Sequence, residues 1–188
     1  GDAAAIIPTL RRPASLTRAL RSIVAQTGVT DRIAAVIVVD NDPLASASST
    51  IDSLRPESPW PLVYVSEPTP GVARARNAGL AATDAPLIAF LDDDEAASPG
   101  WLAALLAAQI QTGADAVFGP ITGCAPEAKD WLKPYLEHFF GREGPAETGL
   151  IDHPWGCGNS LLVRATALPG DAPFSASGDH TGGGGGML

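Results

Sequence analysis

The chain has 188 residues, 45% of them hydrophobic and 18% charged, which is the composition of a globular protein long enough for one domain with a sizeable core. Its net charge of -9 argues against binding to a nucleic-acid polymer, because that needs clustered lysines and arginines. No run approaches the roughly 20 apolar residues of a membrane span, and the first residues lack the basic flank of a signal peptide.

The first elements alternate between apolar, strand-forming runs and a segment of helical period. "AAIIPTL" and "RIAAVIVVDND" have the continuous apolar character of buried strands. Between them, "SLTRALRSIVAQTG" repeats apolar residues at i, i+3 and i+4 from Leu16 to Val24, with Ser15 as the expected N-cap and Gly28 as the expected stop. This pattern predicts one βαβ unit.

The same alternation continues to about residue 123. "PLVYVSE", "GVARARNAGLAAT", "PLIAFLDDD", "PGWLAALLAAQIQTG" and "ADAVFGPITG" predict strand, helix, strand, helix and strand, with Ser98 and Pro99 opening the second helix. Strands separated by helices indicate an α/β fold, with a mainly parallel, Rossmann-like central sheet and helices on both faces.

Beyond residue 124 the pattern loosens. "KDWLKPYLEHFFG" predicts a helix interrupted by Pro134, and "NSLLVRA" predicts a further strand. The ending "HTGGGGGML" contains no helix or strand signal, so we expect a single domain over residues 1–188 that is truncated at its C-terminal side.

The two cysteines, Cys124 and Cys157, form no Cys-x-x-Cys pair and predict neither a zinc site nor a disulfide framework. Reduced thiols indicate a cytoplasmic location, which includes the inner face of the membrane. The three histidines share no ligand spacing and are expected to be structural or exposed.

Ligands of open parallel sheets bind outside the carboxyl ends of the strands, so the polar residues at those ends define the candidate site. They are Thr9 after the first strand, Asp40 to Asp42 after the second, Glu67 after the third and the four acids Asp92 to Glu95 after the fourth. We call Asp92 to Glu95 the acidic cluster.

The acidic cluster predicts a bound Mn²⁺ or Mg²⁺, because hard oxygen ligands suit these ions and the ion removes the repulsion between the acids. Alternation along an extended chain would put Asp92 and Asp94 on the same side, with Asp93 facing away. The alternative is that the acids only precede the helix opening at Pro99, whose N-terminal dipole favours negative charge.

Three other segments each allow a functional and a structural interpretation. Asp40 can accept hydrogen bonds from a base or ribose, or belong to a plain turn. Arg74 and Arg76 suit phosphate oxygens, but they diverge by about 200° on a helix, so only one is expected to serve a site and Arg74 is expected to be solvated. The glycines of "GCGNSLLVR" allow close approach to a ligand or a tight turn.

Taken in order, "IIPTLRRP", "VIVVDNDP", "EPTPGVARARNAG", "AFLDDDEAASPGWL", "ADAVFGPI" and "GCGNSLLVR" resemble the family 2 glycosyltransferases of the GT-A fold. The resemblance implies a nucleotide-diphospho-sugar donor, a UDP- or GDP-sugar, and a saccharide or lipid-linked acceptor, as in polysaccharide biosynthesis. The donor-binding residues that it implies are Pro8, Thr9, Asp40, Arg76, Asn77, Asp92 and Asp93.

Within this resemblance, Asp92 and Asp94 match the family's Asp-x-Asp motif. Asp92 is expected near the ribose, and Asp94 on the metal that bridges the diphosphate. Pro8 and Thr9 are expected to border the nucleotide, while Asp40 is expected to meet the base.

The family's inverting mechanism also needs a carboxylate that deprotonates the acceptor, late in the chain in a Thr-Gly-Gly-Glu-Asp type motif. Here Gly184 and Gly185 stand where Glu and Asp are expected, so the catalytic base is unknown, with Asp179 and His180 as weak substitutes. The alternative function is a nucleotide-sugar-binding domain with impaired turnover. A sugar-phosphate nucleotidyltransferase is disfavoured, because "IIPTLRRP" lacks a glycine-rich loop.

Overall fold

The computed structural model describes residues 1–145 and 147–175. Their strands form one six-stranded sheet in the order β3-β2-β1-β4-β6-β5. The strands are β1 (Ala3–Thr9), β2 (Ile33–Asp40), β3 (Leu62–Ser66), β4 (Leu87–Leu91), β5 (Ala116–Phe118) and β6 (Asn159–Val163). The first four pair in parallel, whereas β6 runs antiparallel to both β4 and β5. The α/β class and the mainly parallel sheet are therefore confirmed.

Six α-helices connect or flank these strands in the described part of the chain. They are α1 (Pro13–Val24), α2 (Ser48–Leu54), α3 (Val72–Ala81), α4 (Trp101–Thr112), α5 (Lys133–Phe140) and α6 (Arg164–Ala167). None of them is long and apolar enough to cross a membrane.

The core lies on both faces of the sheet, which explains why its central strands are apolar without alternation. Ala5 and Ile7 of β1 belong to one buried cluster, which includes apolar residues of α1 and α4. Ala4 and Ile6 point to the other face and belong to a second cluster with residues of α3 and with Phe174. All seven residues of β1 are buried, so this strand forms the centre of the domain.

Two helices begin at or just before a proline, and the sequence patterns predicted neither start correctly. α1 begins at Pro13 with Arg12 as its N-cap residue, rather than after Ser15, and it ends at Val24 rather than near Gly28. α5 begins at Lys133, so Pro134 lies in its first turn instead of interrupting it. Proline is tolerated there because the first N–H groups of a helix have no partner within the helix.

Candidate functional site

The carboxyl ends of β1, β2 and β4 meet at one edge of the sheet. β1 lies between the other two, and its last residue, Thr9, is in register with Asp40 at the end of β2. The chain passes to opposite sides of β1 on its way to β2 and to β4, which makes this edge a topological switch point, the usual ligand site of such sheets. The acidic cluster follows β4 directly at this edge.

The acidic cluster is not extended. β4 ends at Leu91, the chain turns at Asp93 and Asp94, and the N–H of Glu95 donates a hydrogen bond to the carbonyl of Asp92 at 3.1 Å. The expected alternation of Asp92 and Asp94 therefore does not hold, because it assumed that the strand continued. Instead each acid has its own surroundings.

Asp93 is the buried member of the cluster. Its Oδ2 accepts a 2.7 Å hydrogen bond from the hydroxyl of Thr9, and its Oδ1 lies 3.3 Å from Nη1 of Arg12. Asp93 thus joins the end of β4 to the end of β1. Its contact with Thr9 places two predicted donor-binding residues side by side.

Arginines from three separate parts of the chain surround the acidic cluster. Nη1 of Arg12, before α1, lies 3.1 Å from Oδ2 of Asp94. Nη2 of Arg76, on α3, lies 3.4 Å from Oδ1 of Asp92. Arg142, after α5, is near enough to Glu95 to oppose the rise in its pKa. The mutual repulsion of the four acids is thus partly compensated within the protein itself.

Arg76 is buried between two aromatic rings. Its guanidinium carbon lies 5.9 Å from the centroid of Phe90 and 5.8 Å from that of Phe174, and the two rings pack edge to face. Its side chain is only 4% exposed, and its Nε has no hydrogen-bond partner among the described residues. Arg74 on the same helix is exposed, in agreement with the expectation that only one of the two arginines faces the site.

Asn77, the other residue of the Arg-Asn-x-Gly segment, pairs with a residue 97 positions later. Its Nδ2 donates to the carbonyl of Phe174 at 2.9 Å, and its Oδ1 accepts from the N–H of Phe174 at 3.1 Å. Both ends of the amide are therefore engaged within the protein. Asn77 fixes the backbone at Phe174, close to the last described residue, Ser175.

Asp92 is held from the β6 side by Gly158. The N–H of Asp92 donates to the carbonyl of Gly158 at 3.0 Å, and a Cβ atom at Gly158 would overlap the Asp92 carboxylate. The sequence predicted either a close approach to a ligand or a tight turn at these glycines; the group that approaches Gly158 is the Asp92 carboxylate, and the ligand contact stays a prediction. Arg142 contacts the same loop, with its Nη1 donating to the carbonyl of Gly156 at 3.4 Å and its guanidinium stacked 4.8 Å from the ring of Trp155, while its Nη2 donates to the carbonyl of Gly119 after β5 at 2.8 Å.

Burial and mutual repulsion make Asp92 and Glu95 hold their protons more tightly. The pKa of Asp92 is raised, first by burial and then by Asp94 and Asp93, while Arg76 opposes the shift. The pKa of Glu95 is raised to about 8, first by burial and then by Asp92 and Asp94. These directions mean that the site would gain stability from additional positive charge.

Asp94 is the carboxylate most available to a metal ion, because its side chain is 59% exposed and that of Asp92 is 40% exposed. Within residues 1–145 and 147–175, no group of three or more Asp, Glu, His or Cys side chains is arranged to hold a metal by itself. Mg²⁺ is commonly bound by one or two carboxylates together with phosphate oxygens and water. The residues present therefore fit a metal ion that is shared with a diphosphate.

Asp40 lies at the end of β2, as predicted, and its contact with a nucleotide base stays a prediction. It is fully buried, and its carboxylate accepts hydrogen bonds from the N–H groups of Asp42 and Ala47 and from the hydroxyl of Tyr64. Three of the roughly four acceptor sites of this carboxylate are thus used within the protein. These hydrogen bonds hold the loop after β2 in place. Pro8, which was also predicted to border the nucleotide, is buried within β1.

A cavity among the described residues lies away from the acidic cluster. It has a volume of about 1240 Å³ and is bounded by α4, β5 and the loop from residue 143 to residue 155. Trp101, Phe118 and Trp155 line it, but none of the acidic cluster does. The candidate site is therefore defined by its charges at the strand ends rather than by a deep pocket.

The sequence patterns did not identify two of the arginines at the site. Arg12 had a usable signal, since "LRRP" puts two basic residues directly after a strand end. Arg142 had none, because the loop after α5 has no periodicity. The positions considered for the base, Asp179, His180, Gly184 and Gly185, lie outside the described residues.

Comparison with known sequences gives a family match over most of the chain. The sequence model described as glycosyl transferase family 2 matches residues 4–167. The succinoglycan biosynthesis protein ExoM of Rhizobium meliloti is 40% identical over 126 residues, which are 66% of this chain and 40% of that protein. A validoxylamine A glucosyltransferase of Streptomyces hygroscopicus subsp. jinggangensis is 33% identical over 155 residues, which are 80% of this chain and 35% of that protein. The chain thus spans well under half the length of these curated relatives.

Comparison with solved structures supports the same fold. A fragment of S. aureus TarS in complex with UDP has a TM-score of 0.60 at 19% identity, covering 69% of this chain and 38% of that one. The mannosyltransferase PcManGT from Pyrobaculum calidifontis, in complex with GDP-Man and Mn²⁺, has a TM-score of 0.55 at 21% identity, covering 69% and 37%. At these identities the likeness concerns the fold.

Proposed function

Because the chain belongs to glycosyl transferase family 2, we propose that it moves a sugar from a nucleotide-diphospho-sugar donor to a saccharide or lipid-linked acceptor. The observation that carries the proposal is the acidic cluster at the switch point of the sheet, with Asp94 exposed and Asp92 held by Arg76 and Gly158. This arrangement offers carboxylate oxygens where a ligand of such a sheet would lie.

A UDP- or GDP-sugar is the proposed donor. Support comes from the structural neighbours, which were solved with UDP and with GDP-Man. We do not assign uracil or guanine as the base. Asp40, the expected contact of the base, already accepts three hydrogen bonds from groups of the protein. The donor sugar would be selected by contacts that one sequence does not assign.

Mn²⁺ or Mg²⁺ is the proposed cofactor, with Asp94 as its main protein ligand and Asp92 as the second. When bound, such an ion acts as a Lewis acid that stabilises the departing diphosphate. The chain's own contribution is to fix the carboxylates. Asp92 is held between Arg76 and the Gly158 carbonyl, and Asp93 holds the turn against Thr9.

In the proposed inverting reaction, the acceptor hydroxyl attacks the anomeric carbon and the nucleoside diphosphate departs. The hydroxyl proton has to be taken up by a base, and general-base help is typically worth about 10²- to 10⁴-fold in rate. The base remains unassigned. The reaction is proposed for the cytoplasm or the inner face of the membrane, and the two free cysteines in the described chain agree with a reducing compartment.

A nucleotide-sugar-binding domain with impaired turnover is the second candidate. It is favoured by Gly184 and Gly185, which stand where the family pattern expects a glutamate and an aspartate. A turnover assay with UDP- and GDP-sugars separates the two functions. Efficient transfer by the chain as written would exclude impaired turnover, whereas donor binding without transfer, restored by replacing Gly184 and Gly185 with Glu and Asp, would support it.

Donor and metal binding are tested by calorimetry with UDP and GDP, each with and without Mn²⁺. We expect Asp94→Asn to abolish the Mn²⁺-dependent part of nucleotide binding while the protein stays folded. Asp52→Asn is the matched control, because Asp52 is exposed on α2 and pairs with Arg55 away from the site. Unchanged Mn²⁺ dependence in Asp94→Asn would contradict the assignment.

A further inference from the structure

Arg12 joins two carboxylates of the acidic cluster through a single nitrogen atom. Its Nη1 lies 3.1 Å from Oδ2 of Asp94 and 3.3 Å from Oδ1 of Asp93. Asp93 is buried, whereas Arg12 and Asp94 are each more than half exposed. The guanidinium therefore lies on the solvent side of the cluster, against the carboxylate best placed to bind a metal ion.

The backbone before α1 sends two neighbouring arginines to different strand ends. Arg11 has a φ of 55°, in the left-handed region that non-glycine residues rarely adopt, and its Nε lies 3.2 Å from Oδ1 of Asp42 after β2. Arg12 follows as the N-cap residue of α1 and turns towards Asp93 and Asp94 after β4. The two residues carry the same charge but only Arg12 contacts the acidic cluster.

We propose that Arg12 is a displaceable counter-ion, which neutralises Asp94 in the free protein and transfers to the diphosphate when metal and nucleotide bind together. This inference rests on the proposed function. An exposed ion pair is weak and is readily exchanged, whereas a divalent cation at Asp94 would repel a guanidinium held on the same carboxylate. A phosphate group then offers the released guanidinium a better partner, because the two match in shape and charge.

The exchange makes the metal and the nucleotide depend on each other. Mn²⁺ alone has to displace Arg12 from Asp94 and leaves it with only its 3.3 Å contact to Asp93. Mn²⁺ with a nucleoside diphosphate provides Arg12 with a new anionic partner, so the two ligands bind more tightly together than separately. Arg12 is thus inferred to be one source of that coupling.

The test is calorimetric titration of the 188-residue chain with Mn²⁺ alone, with UDP and GDP alone, and with each nucleotide at saturating Mn²⁺. In Arg12→Ala we expect Mn²⁺ alone to bind about two- to fivefold more tightly, the upper part of the range given by losing one exposed ion pair. We expect the same variant to bind the better nucleotide about fivefold or more weakly at saturating Mn²⁺, because a phosphate contact is lost.

Two further variants separate the contact from general charge. Arg11→Ala removes one positive charge next to Arg12 but acts on Asp42, so its Mn²⁺ affinity should stay within about twofold of the wild type. Arg12→Lys keeps the charge and should keep the wild-type affinity for Mn²⁺ alone. Thermal unfolding of each variant checks that the fold is retained.

Equal Mn²⁺ affinity in Arg12→Ala and the wild type, with nucleotide binding intact in both, would overturn the inference and leave the proposed function standing. Equal effects of Arg11→Ala and Arg12→Ala would also overturn it, since they would reflect net charge alone. A wild-type chain that binds neither UDP nor GDP in the presence of Mn²⁺ would refute the proposed function and this inference with it.

Discussion

Replacing Gly158 by alanine should disturb the acidic cluster although none of its acids is substituted. A Cβ atom at Gly158 would overlap Oδ2 of Asp92 and would lie 2.6 Å from its Cγ. Either the Asp92 side chain rotates away from Arg76, or the loop before β6 moves and strains the hydrogen bond between Asp92 N–H and Gly158 carbonyl. Both responses displace a proposed ligand of the metal and donor.

The size of the effect follows from these two contacts. Forcing an extra methyl group into a packed site costs about 1 to 3 kcal/mol. The contact of Asp92 with Arg76 is 3.4 Å, which is long for a charge-assisted hydrogen bond, so little is lost if it breaks. We therefore expect Gly158→Ala to lower the free energy of unfolding by about 1 to 2 kcal/mol. Nucleotide affinity in the presence of Mn²⁺ should fall about tenfold, which corresponds to about 1.4 kcal/mol. Urea unfolding measures the stability, and calorimetry measures the affinity.

Gly156→Ala provides the matched control for this prediction. It lies two residues earlier in the same loop, and a Cβ atom there would meet nothing within 4 Å. We expect its stability to stay within about 0.5 kcal/mol of the wild type and its affinity to be unchanged. If Gly158→Ala behaves like Gly156→Ala, the close approach to Asp92 has no functional consequence and the reasoning is refuted.

Three further predictions concern Arg76, Asn77 and Glu95. Arg76→Lys should weaken nucleotide binding more than Arg74→Lys in calorimetry, because only Arg76 faces the site, and a larger loss at Arg74 would show that the wrong face of α3 was chosen. Asn77→Ala should lower the free energy of unfolding by about 1 to 3 kcal/mol in urea, since two partly buried hydrogen bonds to Phe174 are lost, and an unchanged value would contradict their role. The pKa of Glu95 is raised from 4.5 to about 8 in the folded protein. Between these two pH values the folded state binds more protons than the unfolded state, so the free energy of unfolding should fall as the pH rises from about 5 to 8. Glu95→Gln should reduce that fall by about 1 to 3 kcal/mol in metal-free urea titrations, after allowance for solvent screening, and an identical pH profile would refute the shift.

The sequence predicted those parts of the fold that depend on local pattern. The apolar runs of β1 and β2 indicated strands covered on both faces, and the two core clusters confirm this. The antiparallel direction of β6 was not predictable, because an apolar strand has the same pattern in either direction. The start of α1 at Pro13 was missed because Ser15 offered a competing cap signal.

The candidate site was predictable in its location but not in its contacts. Placing the polar residues at strand ends found Thr9 and the acidic cluster, which do meet at one edge of the sheet. The contacts of Arg142 with the loop before β6, and of Asn77 with Phe174, join residues far apart in the sequence, and local spacing carries no information about them. The extended geometry assumed for Asp92 and Asp94 failed because strand β4 stops at Leu91.

The position of β6 beside β4 has a consequence for how the protein is made. During synthesis the acidic cluster emerges more than 60 residues before Asn159, which pairs with Leu91 at the head of β6. Until β6 arrives, one edge of β4 lacks its partner strand, and such an unpaired apolar edge is a template for association with other chains. A nascent chain stalled before residue 159 should therefore be prone to aggregation, whereas one that has released β6 can complete the sheet beside the acidic cluster.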